Sequence, residues 1–216
     1  MVVLIPLLNE SRNNYFELRY ALRSFEKWLN PSSVLLVGGC PHWYKGDHIP
    51  HKDYYAPDKE KNIFDKLKAG AEVINGEFMF CNDDHFLLDR YQGLHHKGPM
   101  DYTVTTYRID GSYRKTLNNT MDRFGDMIYD YGTHYPMKMN TNGVNRIKLD
   151  WTIQYGYEVK TSYCYTNHEF GTFFPDAKYN HIPKLIERPY FSTSDICDNM
   201  HKELPKLFYN KSKWEK

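Results

Sequence analysis

Apolar residues fill positions 2–5 without interruption and the run closes at Pro6. That pattern predicts a strand buried on both faces, ending where the backbone can no longer donate. After a polar loop at 9–14, Leu18, Leu22, Phe25 and Leu29 recur at helical spacing, with Ala21 and Trp28 widening the stripe, so 15–29 reads as an amphipathic helix. Asn30-Pro31 stops it, and Val34-Leu-Leu-Val37 before Gly38-Gly39 supplies a second strand, which makes the opening a βαβ unit. From 40 to 61 neither period dominates and prolines interrupt, the signature of a long loop or flap. Ile63, Leu67, Ala71 and Ile74 then place a helix over 59–74, closed by Asn75-Gly76, and Glu77-Phe-Met-Phe-Cys81 forms a strand running straight into Asn82-Asp83-Asp84-His85.

Further on, 102–107 is β-rich, and Met121, Phe124, Met127, Ile128 and Tyr131 share one face of a helix predicted over 118–131. A helix is predicted over 142–154 and a strand over 159–165. The C-terminal stretch, broken by Pro175, Pro183, Pro189 and Pro205, reads as a tail folded over the domain. Alternation of strands and helices gives an α/β class: one Rossmann-like mixed sheet flanked by helices. No repeat or linker divides the chain, so 1–216 is taken as a single domain.

Composition narrows the function classes. With 28 Lys and Arg against 27 Asp and Glu the net charge is +1, which argues against sequence-independent polyphosphate binding as the main activity. The longest apolar opening, at 2–8, is far short of the roughly 20 residues of a bilayer span, so no transmembrane segment and a cytoplasmic location are expected. The four cysteines, Cys40, Cys81, Cys164 and Cys197, stand apart with no CxxC pair, which suggests buried thiols rather than a zinc ribbon or disulfide framework. Aromatic residues make up 16%, with 19 tyrosines, enough to line a polar groove as well as a core.

Asp83 and Asp84 leave the carboxyl end of a strand, where open α/β sheets bind ligands. Adjacent carboxylates with no lysine or arginine beside them repel unless a proton or a divalent cation separates them, and Mg²⁺ or Mn²⁺ held by one or two carboxylates keeps positions for water and phosphate. A solvated turn or helix cap is the plain alternative.

In their order, these features resemble the nucleotide-binding half of glycosyltransferases with the type A fold. Pro6-Leu-Leu-Asn9-Glu10 looks like the first-strand motif that contacts the nucleotide in the inverting branch. The stretch from Asn62 through Gly76-Glu77 to Asn82-Asp83-Asp84 looks like the helix and acidic signature. Asn82 stands where the first acid is expected, so the metal role falls on Asp83 and Asp84. The resemblance implies that 1–90 binds nucleotide and metal and that 91–216 binds the acceptor and carries the tail. Two further blocks, Glu17-Leu-Arg-Tyr-Ala-Leu-Arg-Ser-Phe-Glu-Lys-Trp-Leu29 and Phe80-Cys-Asn-Asp-Asp-His-Phe-Leu87, are similar to the first conserved blocks of the Stealth proteins. Those are sugar-1-phosphate transferases of capsule synthesis and lysosomal tagging. Thr133-His134-Tyr-Pro136 is similar to their His-x-Pro element, whose histidine is in the active site.

The expected activity is therefore metal-dependent transfer of a sugar from a nucleotide-sugar donor to a hydroxyl of a glycan or lipid-linked acceptor, with a modified DNA base as a variant. Asp83 and Asp84 hold Mg²⁺ or Mn²⁺, with His181 and His168 as weaker candidates for a further ligand from the C-terminal half. Pro6, Asn9, Glu10, Arg19, Asn62, Lys66, Asn82 and Asp83 line the donor, and His134 and Asp84 are catalytic, His134 as general base ahead of Asp53 or Glu169. Each has a plain competitor. Arg19 and Arg23 fit either diphosphate binding or a helix face paired with Glu17 or Glu26; Lys66 fits a solvated helix face; His134 fits a turn. The flap's Trp43, Tyr44, Tyr54 and Tyr55 fit either sugar stacking or packing, and its closure over 43–58 would exclude water. A DNA acceptor requires Arg108, Arg114, Lys115 and Arg123 on one face. Transfer of sugar phosphate, a phosphohydrolase, and a non-catalytic glycan or nucleic-acid module are the competing functions.

Overall fold

A computed structural model describes residues 1–10, 13–55, 58–106, 111–194 and 196–216. In chain order the elements are β1 (Val2–Leu7), α1 (Phe16–Trp28), β2 (Ser33–Gly38), β3 (Asp47–Ile49), α2 (Lys59–Val73), β4 (Glu77–Phe80), β5 (His85–Leu87), β6 (His95–His96), α3 (Met100–Thr106) and α4 (Gly111–Phe124). The second half continues with β7 (Met137–Asn140), α5 (Thr141–Arg146), α6 (Val159–Asn167), β8 (Thr172–Phe173), β9 (Lys178–Tyr179), β10 (Tyr190–Thr193) and α7 (Met200–Leu207).

The main sheet runs β3-β2-β1-β4-β7, parallel except for β7, which pairs antiparallel with β4. Residues 2–7 of β1 and 34–37 of β2 are apolar throughout because both faces are covered. Val3, Ile5, Leu7, Val34 and Leu36 pack with Leu18, Leu22 and Phe25 of α1. Leu4, Leu35, Val37, Phe78 and Phe80 pack with Phe64, Leu67 and Ala71 of α2 and Val159 and Tyr163 of α6. The period of two assigns alternate residues of each strand to opposite cores.

Pro6 lies inside β1, one residue before its end, and the ladder shows why it is tolerated. Leu4 O accepts from Cys81 N on the β4 side and Leu7 O from Gly39 N on the β2 side, so even positions of β1 face β4. The β4 ladder ends at Leu4 with Phe80, so the missing N–H of Pro6 falls beyond it. At the same end, a Cβ on Gly38, whose φ is +114°, would stand 2.1 Å from Leu7 O. Only glycine lets β2 finish that close to β1.

The second half corrects several expectations. Residues 100–106 form a helix rather than the β-rich stretch expected over 102–107, whose last residue lies outside the described ones. Met100, Thr103 and Val104 are buried at helical spacing, and Met100 and Val104 meet Leu117 and Ile128 in a satellite core, which overrides β propensity. Residues 159–165 are likewise helical: Glu158 caps α6 by accepting from Lys160 N and Thr161 N. α4 begins at Gly111 and ends at Phe124, where Gly125 takes φ +107° and its N–H bonds Met121 O, so 127–131 is not helical. The helix expected over 142–154 is the shorter α5.

β7 was not foreseen, being an alternation of only four residues. On this strand Lys138 N and Asn140 N donate to the hydroxyls of Tyr91 and Tyr163 at 3.4 and 2.9 Å, so side chains stand in for a further strand. The flap is also more ordered than expected. β3 adds a strand to the sheet, Trp43 and Tyr44 are buried in the core, and Tyr44 bonds Val34 O at 2.7 Å. Tyr54 and Tyr55 are exposed.

Candidate functional site

The carboxyl ends of β1, β2 and β4 bring together the β1–α1 loop, the segment after β3 and the acidic turn after β4. Asn82, Asp83 and Asp84 are all half-buried there. Asn82 N–H donates to His85 Nδ1 at 3.2 Å, which places the neutral ring's proton on Nε2. Burial, and then the charge of Lys160, push the His85 pKa well below its ordinary value, so this imidazole is neutral. The two acids diverge. Burial first, then the charges of Cys40, Asp83, Asp53 and Glu10, raise the pKa of Tyr15 on the β1–α1 loop, so Asp83 lies within electrostatic reach of that loop. Asp84 Oδ2 accepts from Ser192 Oγ at 2.7 Å and lies 4.0 Å from Lys178 Nζ. Burial raises the Asp84 pKa, but the charges of His134 and Lys178 and the Ser192 hydroxyl outweigh it, and the net direction is down.

His134 stands next to this acid. Its N–H donates to Asp176 Oδ1 at 3.1 Å, its Nδ1 lies 2.6 Å from Asp176 Oδ2, and its Nε2 lies 3.3 Å from Lys178 Nζ. Burial alone would raise the Asp176 pKa, yet the His134 charge and hydrogen bonds, with Lys97, hold it well below the usual carboxylate range. Lys160, buried on α6, donates to Thr133 O at 2.6 Å and Tyr135 O at 2.8 Å, the carbonyls on either side of His134. It fixes the backbone that presents the imidazole. Asp176, Lys178, Ser192 and Lys160 were missed in sequence: they sit 25 to 108 positions from their partners, in a loop, on short strands and on a helix whose sequence reads as a strand. The dipeptide Pro175-Asp176 in a proline-broken tail was the only local signal.

Beside the dyad opens a cavity of about 550 Å³ lined by Asn82, His134, Asp176, Lys178, Lys160, Lys97, Glu60 and Glu158 among others. Glu60 and Glu158 are buried carboxylates. Burial and then the charge of Glu158 push Glu60 up to about 7, and burial and Asp130 raise Glu158. A raised carboxyl binds more protons folded than unfolded, so its contribution to stability is complete at low pH and is lost as pH rises through the window from its ordinary value of 4.5 to about 7. Glu60→Gln should therefore raise the melting temperature at about pH 8 and leave it nearly unchanged at about pH 4. Equal effects at both pH values would show that Glu60 titrates normally.

The remaining candidates are placed as follows. Asp53 Oδ2 accepts from Asn9 N and Nδ2 at 3.1 and 2.7 Å, and Lys66 Nζ donates to Asp53 Oδ1 and to Leu7 O at 2.5 and 2.6 Å. Lys66 is buried, not solvated, and its charge is already paired. Asn62 is buried and accepts from Tyr55 N, tying the flap to α2. Glu10 is exposed at the rim, and Pro6 is in the sheet. Arg19 is turned away from the acids: its guanidinium covers the Trp43 ring at 4.6 Å and lies 3.7 Å from Glu215, which Arg23 binds through both Nε and Nη2. The pairing expected with Glu17 or Glu26 is instead made with the C-terminal segment, and neither arginine reaches a phosphate site at Asp84.

His181 is exposed and bonded to Asp198 at 2.7 Å, and His168 is the exposed left-handed cap of α6. Among the described residues no group of three or more His, Cys, Asp or Glu side chains could hold a metal ion, so His181 does not join Asp83 and Asp84. Glu169 accepts from the Tyr163 hydroxyl, away from the dyad. Arg114, Lys115 and Arg123 are exposed on α4, with Lys115 over Tyr155 and Arg123 over Phe124; Arg108 lies outside the described residues.

The fold and site define an α/β protein with a mixed sheet flanked by helices and a polar crevice at the carboxyl ends of its parallel strands. No model of a known protein family matches the chain, and no curated protein does. No helix among the described residues is long and apolar enough to cross a membrane.

Proposed function

We propose that the chain is a metal-dependent transferase that moves a sugar from a nucleotide-sugar donor to an acceptor hydroxyl, on a scaffold of the glycosyltransferase type A kind. One observation carries the reading: the acid Asp84, at the end of a central parallel strand, and the His134–Asp176 dyad share Lys178 as a neighbour. The antiparallel β7 beside β4 and the tethered segment after β3 support it. Asp83 and Asp84 would offer a hard cation carboxylate oxygens, Asp84 being kept ionised against the effect of burial by the charges around it and the Ser192 hydroxyl, and such a cation keeps positions for phosphate oxygens and water. Bound there, Mg²⁺ or Mn²⁺ would supply charge neutralisation of a diphosphate leaving group.

The chain's own residues divide the remaining work. Asp176 holds the Nδ1–H tautomer of His134, and Nε2, which accepts from Lys178 Nζ at 3.3 Å, takes the proton of the acceptor hydroxyl once substrate replaces that contact. Lys178 takes the phosphate-steadying role that Arg19 does not reach. The flanking Lys160 keeps the imidazole in place. Lys178 between the dyad and Asp84 also favours a second reading, transfer of sugar 1-phosphate, because an ammonium there would face the attacked phosphorus. Nucleoside diphosphate as by-product supports glycosyl transfer; nucleoside monophosphate supports the second.

Asp84→Asn tests the shared part. With a panel of nucleotide sugars and Mn²⁺, it should lower turnover by about a hundredfold or more, as loss of several kcal/mol of charge stabilisation requires, while circular dichroism stays native. Turnover equal to the parent would remove the acid from the reaction.

A further inference from the structure

Building on the transferase reading, we infer that the cavity beside the dyad is the acceptor subsite, that it takes a neutral, hydroxyl-rich saccharide unit, and that Glu60 reads its hydroxyls. Its volume of about 550 Å³ falls among small-molecule sites. It is walled by the starts of α2 and α6, by α4, and by the turn that carries His134.

The charge arrangement separates the two substrates. A phosphate would need free cations, yet Lys97 is paired with Asp130 at 3.1 Å and Lys160 donates to two carbonyls. Two cations of the lining are left: Lys59, exposed at the start of α2, and Lys178, which lies 4.0 Å from Asp84. The floor itself is anionic or neutral. Glu158 is committed to the backbone N–H groups of Lys160 and Thr161. Glu60 receives a 3.3 Å bond from Val159 N at Oε2, and among the described residues nothing donates to its Oε1. A carboxyl pushed up to about 7 by burial is present in both protonation states near neutrality, so it can donate to one hydroxyl or accept from another. Ser112 at the rim and the rings of Tyr155 and Phe80 complete a surface suited to a polyol with apolar ring faces. Because His134 lines the same space, a sugar hydroxyl held there reaches the imidazole, while Asp83 and Asp84 stay outside the lining and remain for the diphosphate.

The test uses the whole chain and reads thermal protection and calorimetric binding, first with hexoses, N-acetylhexosamines and their disaccharides without donor or metal, then with nucleoside diphosphate and Mn²⁺. At least one saccharide should protect. Glu60→Gln should weaken it about tenfold or more, the scale of a lost buried hydrogen bond. Ser112→Trp, which plugs the mouth from an exposed position, should abolish it even if Glu60→Gln folds poorly. Nucleotide protection should survive both variants and vanish in Asp84→Asn. Nucleotide protection without saccharide protection, saccharide binding indifferent to both variants, or pyrophosphate protection removed by Ser112→Trp would each overturn the acceptor assignment. Saccharide protection with no nucleotide protection would instead sink the transferase reading.

Discussion

His134→Gln should lower turnover by about 10²–10⁴-fold, the range carried by a positioned general base, with the donor KM little changed. The side chain is about one-quarter exposed toward the crevice, so its removal leaves no cavity in either core. Asp176 acts through His134 and is a positioning residue. Asp176→Asn should lower kcat less than the loss of the imidazole does, and it should also shift the pH profile of kcat, because an amide no longer fixes the Nδ1–H tautomer or offers a charge to the imidazolium. A purely structural role would reduce the folded fraction without moving that profile. Steady-state rates across pH for both variants, with folded fraction measured in parallel, separate the two.

Asp53→Ala should destabilise the fold by roughly 3–5 kcal/mol, the cost of leaving a buried charge without its partner. The Lys66 side chain is 3% exposed, and without Asp53 its ammonium keeps the Leu7 carbonyl and no anion. At roughly 2–4 °C per kcal/mol for a chain of this size, the melting temperature should fall by about 10 °C. Two further bonds to Asn9 go with it, releasing the β1–α1 loop from the segment after β3. The double variant Asp53→Ala, Lys66→Met should recover much of the loss, since an apolar side chain in that slot has no desolvation penalty. A drop of under about 1 kcal/mol in the single variant would mean that the ammonium finds water, as an exposed pair does.

This cluster shows where sequence reading stops. Lys66 lies on an amphipathic helix whose pattern made it a solvated residue, and Asp53 lay in a stretch with no period at all. Their meeting follows from β3 joining the sheet beside β2, which sets the following segment over the strand ends. The same holds for Arg19 and Arg23. Their spacing on α1 was legible, but the carboxylate that binds them, Glu215, is nearly 200 positions away on the C-terminal segment. Helix geometry predicts which side chains share a face and leaves the partner of that face unstated.

Periodicity by itself determined β1, α1, β2, α2 and β4, and it placed Asn82, Asp83 and Asp84 at a strand's carboxyl end, because both faces of those strands and one face of those helices must be apolar to be buried. Tertiary structure decided the rest. Short segments such as β7, α3 and α6 carry too few residues for a period to outweigh local propensity, so the core they met chose their conformation. The dyad needed that choice as well: a hydrogen bond of 2.6 Å between His134 and Asp176 depends on two loops arriving at one place. Nothing in the residues between them encodes that distance except the packing of the whole chain.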